Sequence, residues 1–304
     1  MLLYKSGLKN CVIEPKIKVV SPFKFSENTT YGLGGNAIAA YLPKTPYEAK
    51  TAYDRLISNG IPFEILGCGS NVLASDKGIS GAVISTKNLR GIIRLDKNRL
   101  LCLAGTRVAE LLTYCKKHSL GGLEYLYGIP ATVGGAAYMN AGISGLAVGD
   151  NIERVQIYDG KPRVLTHEKC NFAYRHSTMR DIKALILSII VNVCESSSSE
   201  IDERITYYRK RRSHLPKGKS CGCVFKNPEG TSAGYLVEKA GLKGLKYGGA
   251  HVSEQHASFI INDGGTATDV KALIETVKRK VFEKFGILLD EEVVYIGEFN
   301  DFNG

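Results

Sequence analysis

The chain has 304 residues, of which 44% are hydrophobic, 23% charged and 9% aromatic. This length gives room for roughly two domains, and the composition excludes collagen-like, coiled-coil and wholly disordered proteins. The 40 basic and 30 acidic side chains give a formal net charge of +10, which suits nucleic acid, an anionic membrane surface or a phosphorylated small molecule as a partner.

The N-terminal segment lacks the continuous apolar core of a secretory signal. Charged side chains interrupt it at Lys5, Lys9, Glu14, Lys16 and Lys18. The most apolar stretch, 184–194, covers about half of a membrane span and is better explained as a buried strand. The eight cysteines are scattered along the chain, a pattern typical of reduced thiols. We therefore expect a cytoplasmic protein that does not bind membranes.

Helix and strand patterns alternate through the first half, which predicts a mixed α/β unit. The spacing predicts a helix at 46–60 ended by Gly60, strands at 61–66, 82–85 and 100–104, and a helix at 108–120 closed by Gly121 and Gly122. Segment 128–136 differs, because it has too many glycines for a regular element and too many apolar residues for a solvated linker. Such a loop lets the backbone approach a ligand closely.

Strand patterns dominate the next stretch. A hairpin is predicted from 154–158 and 163–166 around Asp159-Gly160, followed by a strand at 184–193. A serine-rich run at 194–200 precedes a basic segment, so we place a domain boundary near residue 205. The last helix is predicted to have Thr268 as its N-cap, to stop at Gly286, and to bury one apolar stripe: Val270, Leu273, Ile274, Val277, Val281, Phe282 and Phe285.

Three glycine clusters stand in the first half, at 32–35, 67–71 and 128–135. Backbone N–H groups can converge on an anion where no Cβ intervenes. None of the clusters fits the Rossmann or the P-loop pattern, and each alone is explained equally well as a turn. Together, interleaved with strands, they leave two explanations open: three ordinary turns, or one large phosphate-bearing ligand.

The positive charge is concentrated in one basic segment, 204–219. It contains seven basic residues and no acidic one: Arg204, Arg209, Lys210, Arg211, Arg212, Lys217 and Lys219. We expect this segment to act on dianionic ligands through its local field. A nucleic-acid-binding protein is the alternative, but no RNA-recognition, zinc-finger or bZIP-type signature accompanies the segment, so we expect no nucleic-acid partner.

Possible acid-base residues lie in the second half: Arg175, Cys223 and the pair Glu291-Glu292. Sequence spacing cannot bring them together, and a surface cation, a buried thiol and a solvated turn are the simpler explanations of the residues alone. Cys221-Gly222-Cys223 has no second Cys or His pair at zinc-ligand spacing. We therefore expect no metal site.

Several motifs follow one another in a fixed order. They are Asn28-Thr29-Thr30 with Gly34-Gly35, Gly67-x-Gly69-Ser70-Asn71, Gly128-Ile129-Pro130-x-Thr132-Val133-Gly134-Gly135-Ala136 with Asn140-Ala141-Gly142, Tyr174-Arg175-x-Ser177, Gly222-Cys223-Val224-Phe225-Lys226-Asn227-Pro228, Ala240-Gly241-Leu242-Lys243-Gly244, and Glu292-Val293 ahead of Ile296-Gly297. This series resembles the UDP-N-acetylenolpyruvoylglucosamine reductase family, and the resemblance runs from about Val20 to Gly297.

The resemblance implies an α+β fold: a vanillyl-alcohol-oxidase-type (PCMH-type) FAD-binding domain of two subdomains, followed by a smaller C-terminal α+β substrate-binding domain. The expected boundaries are an N-terminal extension at 1–17, the FAD-binding domain at 18–205 with subdomains at about 18–88 and 89–205, and the C-terminal domain at 206–304. In that fold irregular backbone loops replace the Rossmann turn around the diphosphate, which explains why the Rossmann pattern is not found.

The implied activity is reduction of UDP-N-acetylglucosamine enolpyruvate to UDP-N-acetylmuramate in peptidoglycan precursor synthesis, with non-covalent FAD and with NADPH as co-substrate. The residues implied for FAD are Tyr31, Gly34, Gly35, Gly67, Gly69, Ser70, Asn71, Gly128, Pro130, Thr132, Gly134 and Gly135. Those implied for the UDP-sugar are Tyr174, Lys226, Asn227 and His256. The implied catalytic residues are Arg175 and Glu292, which polarise the enolpyruvyl carboxylate, and Cys223, which donates the proton. Another oxidoreductase of the same flavin fold, with a different substrate, is the alternative.

The chain departs from the family at Cys223, where a serine is usual. An unperturbed thiol has a pKa of about 8.5 and stays protonated at neutral pH, but basic neighbours would depress that pKa. The short distance in sequence from Arg175 to Cys223 implies that the inserted Tyr loop of one family subtype is absent. We expect Tyr207 and Tyr208 to pack rather than bind substrate, and we expect a monomer.

Overall fold

The structure is a computed structural model that describes residues 15–143 and 145–300. The expected extension 1–17 lies outside the described residues except for its last three positions. Across the described ranges, no helix combines the length and the apolar character needed to cross a lipid bilayer.

Residues 18–88 form a four-stranded sheet with one long helix. The elements are β1 (Lys18–Val20), β2 (Phe23–Lys24), β3 (Asn36–Ala37), β4 (Ala39–Leu42), α1 (Pro46–Ser58), β5 (Phe63–Leu66), β6 (Val72–Ala74) and β7 (Ala82–Ser85). The strand order is β1-β4-β7-β5, with β1 antiparallel to β4 and the other two pairs parallel. The predicted α1 is confirmed: the Thr45 hydroxyl accepts a hydrogen bond from the Glu48 N–H, and Gly60 has φ = +62° just beyond the helix.

Residues 89–212 form a second, antiparallel sheet. The elements are β8 (Ile92–Arg94), β9 (Arg99–Leu103), α2 (Val108–Lys117), β10 (Leu120–Gly121), α3 (Val133–Met139), β11 (Gly142–Ile143), β12 (Leu146–Ala147), β13 (Ile152–Tyr158), β14 (Pro162–Thr166), α4 (His167–Cys170), α5 (Thr178–Asp181), β15 (Leu185–Asn192), β16 (Cys194–Glu195) and α6 (Ser198–Arg212). The strand order is β14-β13-β15-β9-β8. The β13–β14 hairpin is confirmed, and the apolar stretch forms the central strand β15.

Two predictions in this part are wrong. Helix α2 ends at Lys117, because Ser119 adopts the left-handed conformation (φ = +54°) in place of a glycine, while Gly121 pairs with Cys194 in the β10–β16 ladder. Segment 128–136 is regular in its second half, where α3 begins at Val133. The Thr132 hydroxyl caps this helix by accepting from the Gly135 N–H at 3.1 Å.

Helix α6 carries most of the basic segment. It runs without a break through residue 205, so the expected boundary falls inside a helix, and the division into 18–205 and 206–304 stays a prediction. Tyr208 packs against the core beneath α6, as expected. Tyr207 is 55% exposed and lies beside Arg211, and its ring packs edge to face on Tyr208, so it packs at the surface and not in the core.

The remaining residues form a small α+β unit. The elements are α7 (Ala233–Lys239), β17 (Lys246–Tyr247), β18 (Ala250–Val252), β19 (Ile260–Asn262), α8 (Ala267–Phe285) and β20 (Val294–Ile296). Thr266, not Thr268, is the N-cap of α8, because the Thr266 hydroxyl accepts from the Asp269 N–H and the Asp269 carboxylate accepts in return from the Thr266 N–H. The stripe is buried up to Val281, whereas Phe282 and Phe285 are 53% and 36% exposed, contrary to prediction.

The C-terminal unit packs against the first unit of the chain. Strand β20 pairs in parallel with β6, opposite Val72, and the C-terminal core includes Tyr31, Leu33 and Leu73 from the first unit. The Asp76 carboxylate accepts hydrogen bonds from the N–H groups of Ala267 and Thr268, each at 2.8 Å. This closure places loop 67–71, which precedes β6, beside the segment that precedes β20.

Candidate active site

Two of the glycine clusters touch each other. A Cβ on Gly67 would lie 2.6 Å from the Thr132 Oγ1, and a Cβ on Gly134 would lie 2.8 Å from the Ala104 Cβ. Thr132 is buried and Gly67 half-buried. The small residues are therefore required for close packing between loop 67–71 and the start of α3.

Loop 67–71 offers unpaired backbone donors. Gly69 has φ = +66°, and a Cβ there would lie 2.6 Å from the Asn28 carbonyl oxygen. Its own carbonyl accepts from the Thr30 N–H at 3.1 Å, but no N–H of residues 67–71 donates to a backbone carbonyl of the described chain. Buried or half-buried N–H groups require a partner, and converging ones suit a phosphate. The loop thus fits a diphosphate-bearing cofactor.

The cluster at 32–35 is packed differently. Gly34 has φ = +102°, and a Cβ there would lie 2.7 Å from the Ala74 Cβ, while the Gly35 N–H donates to the Ser75 carbonyl at 2.9 Å. The Tyr31 side chain is fully buried in the C-terminal core. The structure brings this cluster against β6 but does not place the Tyr31 side chain on the open face of loop 67–71, so the role of Tyr31 toward FAD stays a prediction.

Arg175 and Glu292 form an ion pair. The Arg175 Nε lies 2.9 Å from the Glu292 Oε1, and both side chains are mostly buried. Arg175 has φ = +55°, an unfavourable conformation for a residue with a Cβ, and its Nη2 donates to the Gly142 carbonyl at 3.2 Å. Burial raises the pKa of the Glu292 carboxyl, and the charge of Arg175 opposes that rise.

Asn71 connects this ion pair to the glycine loop. Its Nδ2 donates to the Glu292 carbonyl at 2.9 Å, and the Glu292 N–H donates to the Val224 carbonyl at 2.7 Å. Glu292 is thereby fixed between loop 67–71 on one side and the strand-like segment that carries Cys223 on the other.

Cys223 lies beside the ion pair. It forms an isolated antiparallel bridge with Phe259, and burial raises the pKa of its thiol to about 11. The Glu292 charge also raises this pKa, whereas Arg175 and Arg212 lower it by less. The expectation that basic neighbours depress the thiol pKa is therefore wrong. Burial outweighs them, and most of the basic segment is exposed and turned away.

Three of the four residues assigned to the substrate, Tyr174, Lys226 and Asn227, lie beside this centre. The Tyr174 hydroxyl accepts from the Asn227 N–H at 3.2 Å, and its ring lies 5.1 Å below the Arg175 guanidinium. The charge of Lys226 acts on Glu292. His256 is half-buried, its Nδ1 accepts from the Ser258 N–H at 3.3 Å, and burial lowers its pKa.

Two residues near Cys223 escaped the sequence analysis. Ser258 is buried, its carbonyl accepts from the Val224 N–H at 2.8 Å, and its proximity to Cys223 lowers the thiol pKa; the sequence gives no signal for it. Arg212 points inward from α6, where Ile201, Tyr208 and Arg212 follow helical spacing. That spacing was the available signal, hidden by four consecutive basic residues, 209–212.

Gly222, with φ = +84°, interrupts the extended backbone between the two cysteines, so their side chains do not share one face as positions i and i+2 of a regular strand would. Cys221 is buried in the C-terminal core, with Tyr31 and Phe225, while Cys223 faces the ion pair. Among the described residues, no group of three His, Cys, Asp or Glu side chains is arranged to hold a metal ion.

The comparisons with known proteins agree with this arrangement. A family model described as "FAD binding domain" matches residues 37–167, and one described as "UDP-N-acetylenolpyruvoylglucosamine reductase, C-terminal domain" matches 213–296. With the diphosphate-fitting loop and the polar centre, these matches define an FAD-dependent oxidoreductase. They also confirm the expected fold class, an α+β FAD-binding domain with a smaller C-terminal α+β domain.

Full-length relatives specify the family. The chain is 39% identical over 288 residues to a UDP-N-acetylenolpyruvoylglucosamine reductase of Moorella thermoacetica, covering 93% of this chain and 95% of the relative. It is 38% identical over 300 residues to the one from Clostridium botulinum, covering 97% and 95%. The crystal structure of the Thermus caldophilus enzyme superposes with a TM-score of 0.77 at 34% identity, covering 93% and 99%. The chain belongs to the UDP-N-acetylenolpyruvoylglucosamine reductase family.

Proposed function

We propose that this chain reduces UDP-N-acetylglucosamine enolpyruvate to UDP-N-acetylmuramate in peptidoglycan precursor synthesis, with FAD held non-covalently and NADPH as the electron source. The observation that carries the proposal is the polar centre: a buried Arg175–Glu292 ion pair next to a thiol that burial keeps protonated. Asn71 ties this centre to the loop that fits the cofactor diphosphate.

Loop 67–71 would hold the FAD diphosphate through its unpaired N–H groups, and residues 128–135 would lie along the rest of the cofactor. When bound, FAD supplies a hydride, taken from NADPH, to the terminal vinyl carbon of the substrate. The residues of this chain bind the enolpyruvyl group, stabilise its developing charge and provide a proton.

Arg175 stabilises the negative charge. Hydride addition to the vinyl carbon places carbanion or enolate charge on the carbon that bears the carboxylate. A guanidinium remains protonated and presents a planar fork of donors to a carboxylate. Glu292 holds the Arg175 Nε, so the remaining guanidinium nitrogens keep a fixed direction when substrate enters.

Cys223 completes the reduction. Its S–H proton passes to the carbon that bears the carboxylate, the carbon–carbon double bond becomes single, and the thiolate regains a proton from solvent. Because burial raises the thiol pKa to about 11, the donor is fully protonated at neutral pH. A neutral thiol in this place remains a stronger acid than the hydroxyl of a serine.

Tyr174, Lys226, Asn227 and His256 would bind the UDP-sugar around this centre. We propose that the protein acts as a monomer. The cysteines of the described residues are free thiols, which supports a reducing compartment, the cytoplasm.

The test separates the two half-reactions. We expect the purified protein to be yellow, to bleach anaerobically with NADPH, and to regain its colour when the enolpyruvyl UDP-sugar is added. Cys223→Ala should still bleach with NADPH but fail to regain colour with substrate, and Cys223→Ser should recover part of the rate. Equal loss of both half-reactions in Cys223→Ala would refute the proton-donor role, and a wild-type protein that never responds to the UDP-sugar would refute the proposed function.

A further inference from the structure

Arg212, the last residue of α6, is a half-buried cation without a carboxylate partner. No Asp or Glu of the described chain forms an ion pair with it, although Arg204 of the same helix lies 3.1 Å from Glu124. The Arg212 Nε is buried and has no hydrogen-bond partner among the described residues. Its guanidinium makes one long contact, 3.5 Å from Nη1 to the Gly128 carbonyl oxygen.

The position of Arg212 is defined by the glycine cluster 128–135. Gly128 has φ = +78°, and a Cβ there would lie 3.1 Å from the Arg212 Cδ. The Arg212 side chain thus lies over Gly128, and a side chain at residue 128 would displace it. On its other side, the charge of Arg212 lowers the pKa of the Cys223 thiol. Arg212 therefore stands between loop 128–135 and the proposed proton donor.

The charges of this region do not balance. Burial lowers the pKa of the Arg212 guanidinium, and the charge of Arg175 lowers it further. The one carboxylate of the polar centre, Glu292, is paired with Arg175, so no carboxylate of the described chain compensates the charge of Arg212. A desolvated cation next to another cation is unfavourable unless an anion enters the same space.

We propose that Arg212 binds a negatively charged oxygen between loop 128–135 and Cys223, and that it is a further binding and catalytic residue of the reaction. This inference rests on the proposed function. Such an oxygen has two possible sources, the enolpyruvyl carboxylate of the substrate and a flavin ring oxygen that carries negative charge when the cofactor is reduced. Either one would satisfy the free donors of Arg212 and compensate its charge.

The chain offers a matched set of variants. Arg212→Gln removes the charge, and Arg212→Lys keeps the charge but loses the planar fork of donors. Lys280→Gln is the control, because Lys280 is exposed on α8, outside the basic segment, and its replacement changes the net charge by the same amount. Three quantities are compared with wild type: the dissociation constant of the enolpyruvyl UDP-sugar from the oxidised holoenzyme, the kcat and KM of turnover, and the midpoint potential of bound FAD.

Each source of the oxygen predicts a different result. If the substrate carboxylate is bound, Arg212→Gln weakens substrate binding by about 10- to 100-fold and leaves the midpoint potential unchanged. If a flavin oxygen is bound, the reduced cofactor loses a stabilising cation, so the midpoint potential falls by roughly 30 mV for each tenfold loss in equilibrium constant, with substrate binding unchanged. Lys280→Gln should match wild type in all three measurements.

The inference is overturned if Arg212→Gln, correctly folded and loaded with FAD, matches Lys280→Gln in substrate binding, turnover and potential. Should Arg212→Gln fail to fold, Arg212→Lys decides: a change of threefold or more in substrate binding or kcat, or a shifted potential, supports the inference, and wild-type values overturn it. A wild-type protein that does not turn over the UDP-sugar would refute the proposed function, while the midpoint potentials would still test Arg212.

Discussion

The fold raises the pKa of the Cys223 thiol above that of a free thiol, and this shift predicts how the rate of substrate reduction depends on pH. A thiol with the usual pKa of about 8.5 would be only roughly one-tenth protonated at pH 9.5. Burial raises the pKa of the Cys223 thiol to about 11, so at pH 9.5 this thiol is almost entirely protonated. The two values predict rates of substrate reduction that differ by about tenfold at this pH.

The assay is anaerobic stopped flow of the NADPH-reduced protein mixed with the enolpyruvyl UDP-sugar between pH 7 and pH 10. Because the protonated thiol is the donor, the rate is lost as pH rises through its pKa. We therefore expect a plateau to about pH 10 for wild type. Cys223→Ser should be slower, with no loss that belongs to the donor, because an alcohol does not titrate in this range.

A wild-type rate that falls with an apparent pKa near 8.5, and that is independent of pH in Cys223→Ser, would refute the reasoning. It would mean that solvent or basic side chains reach the thiol and that burial does not control its ionisation. NADPH reduction of the cofactor, measured on the same samples, is the control for alkaline damage to the protein.

Three further predictions concern packing around the site. Gly67→Ala places a Cβ 2.6 Å from the Thr132 Oγ1, so the dissociation constant of FAD, measured by flavin fluorescence, should rise at least about fivefold; an unchanged constant would contradict the close packing of the two loops. Asp76→Ala leaves the first N–H groups of α8 without their acceptor, and urea unfolding should show a loss of about 1 to 2 kcal/mol, whereas an unchanged midpoint would show that solvent replaces the carboxylate without cost. Asn71→Ala removes the hydrogen bond to the Glu292 carbonyl, and kcat should fall about fivefold with FAD still bound; full activity would show that loop 67–71 does not position Glu292.

The fold brings together polar residues of the family motifs that lie far apart in sequence. Asn71 and Glu292 are hydrogen bonded across 221 positions, and β6 and β20 pair in parallel next to them. The cofactor-fitting loop and the reducing centre are therefore held by the same closure. A change that loosens the β6–β20 pair should affect cofactor binding and substrate reduction together.

Local signals in the sequence determined the elements that depend on neighbours a few residues apart. Helix α1 begins with Thr45 and Pro46 because a hydroxyl can cap the first N–H groups and proline needs no hydrogen bond there. Helix α8 stops at Gly286, which adopts φ = +68°. The motifs also identified the family, because many short patterns occur in this chain in the same order as in the family.

Tertiary contacts decided where helices α8 and α3 begin. The sequence predicted Thr268 as the cap of α8, but Thr266 caps the helix, and the Thr268 N–H donates to Asp76, which comes from another unit. The glycine-rich start of α3 is helical because Thr132 caps it and Gly134 packs on Ala104. Propensity alone disfavours a helix there, and long-range packing overrides it.

The burial of the charged groups around Cys223, and so the pKa of its thiol, could not be predicted from the sequence. The sequence predicted a thiol protonated at neutral pH but left open how far the seven basic residues near Cys223 would lower its pKa. A pKa depends on distance and desolvation, and neither is determined by separation along the chain. In the folded protein Arg212 turns inward, much of the remaining basic segment stays in solvent, and burial keeps the thiol protonated. The chemical character of this site is thus a product of its three-dimensional surroundings, whereas the identity of its residues could be read from the sequence.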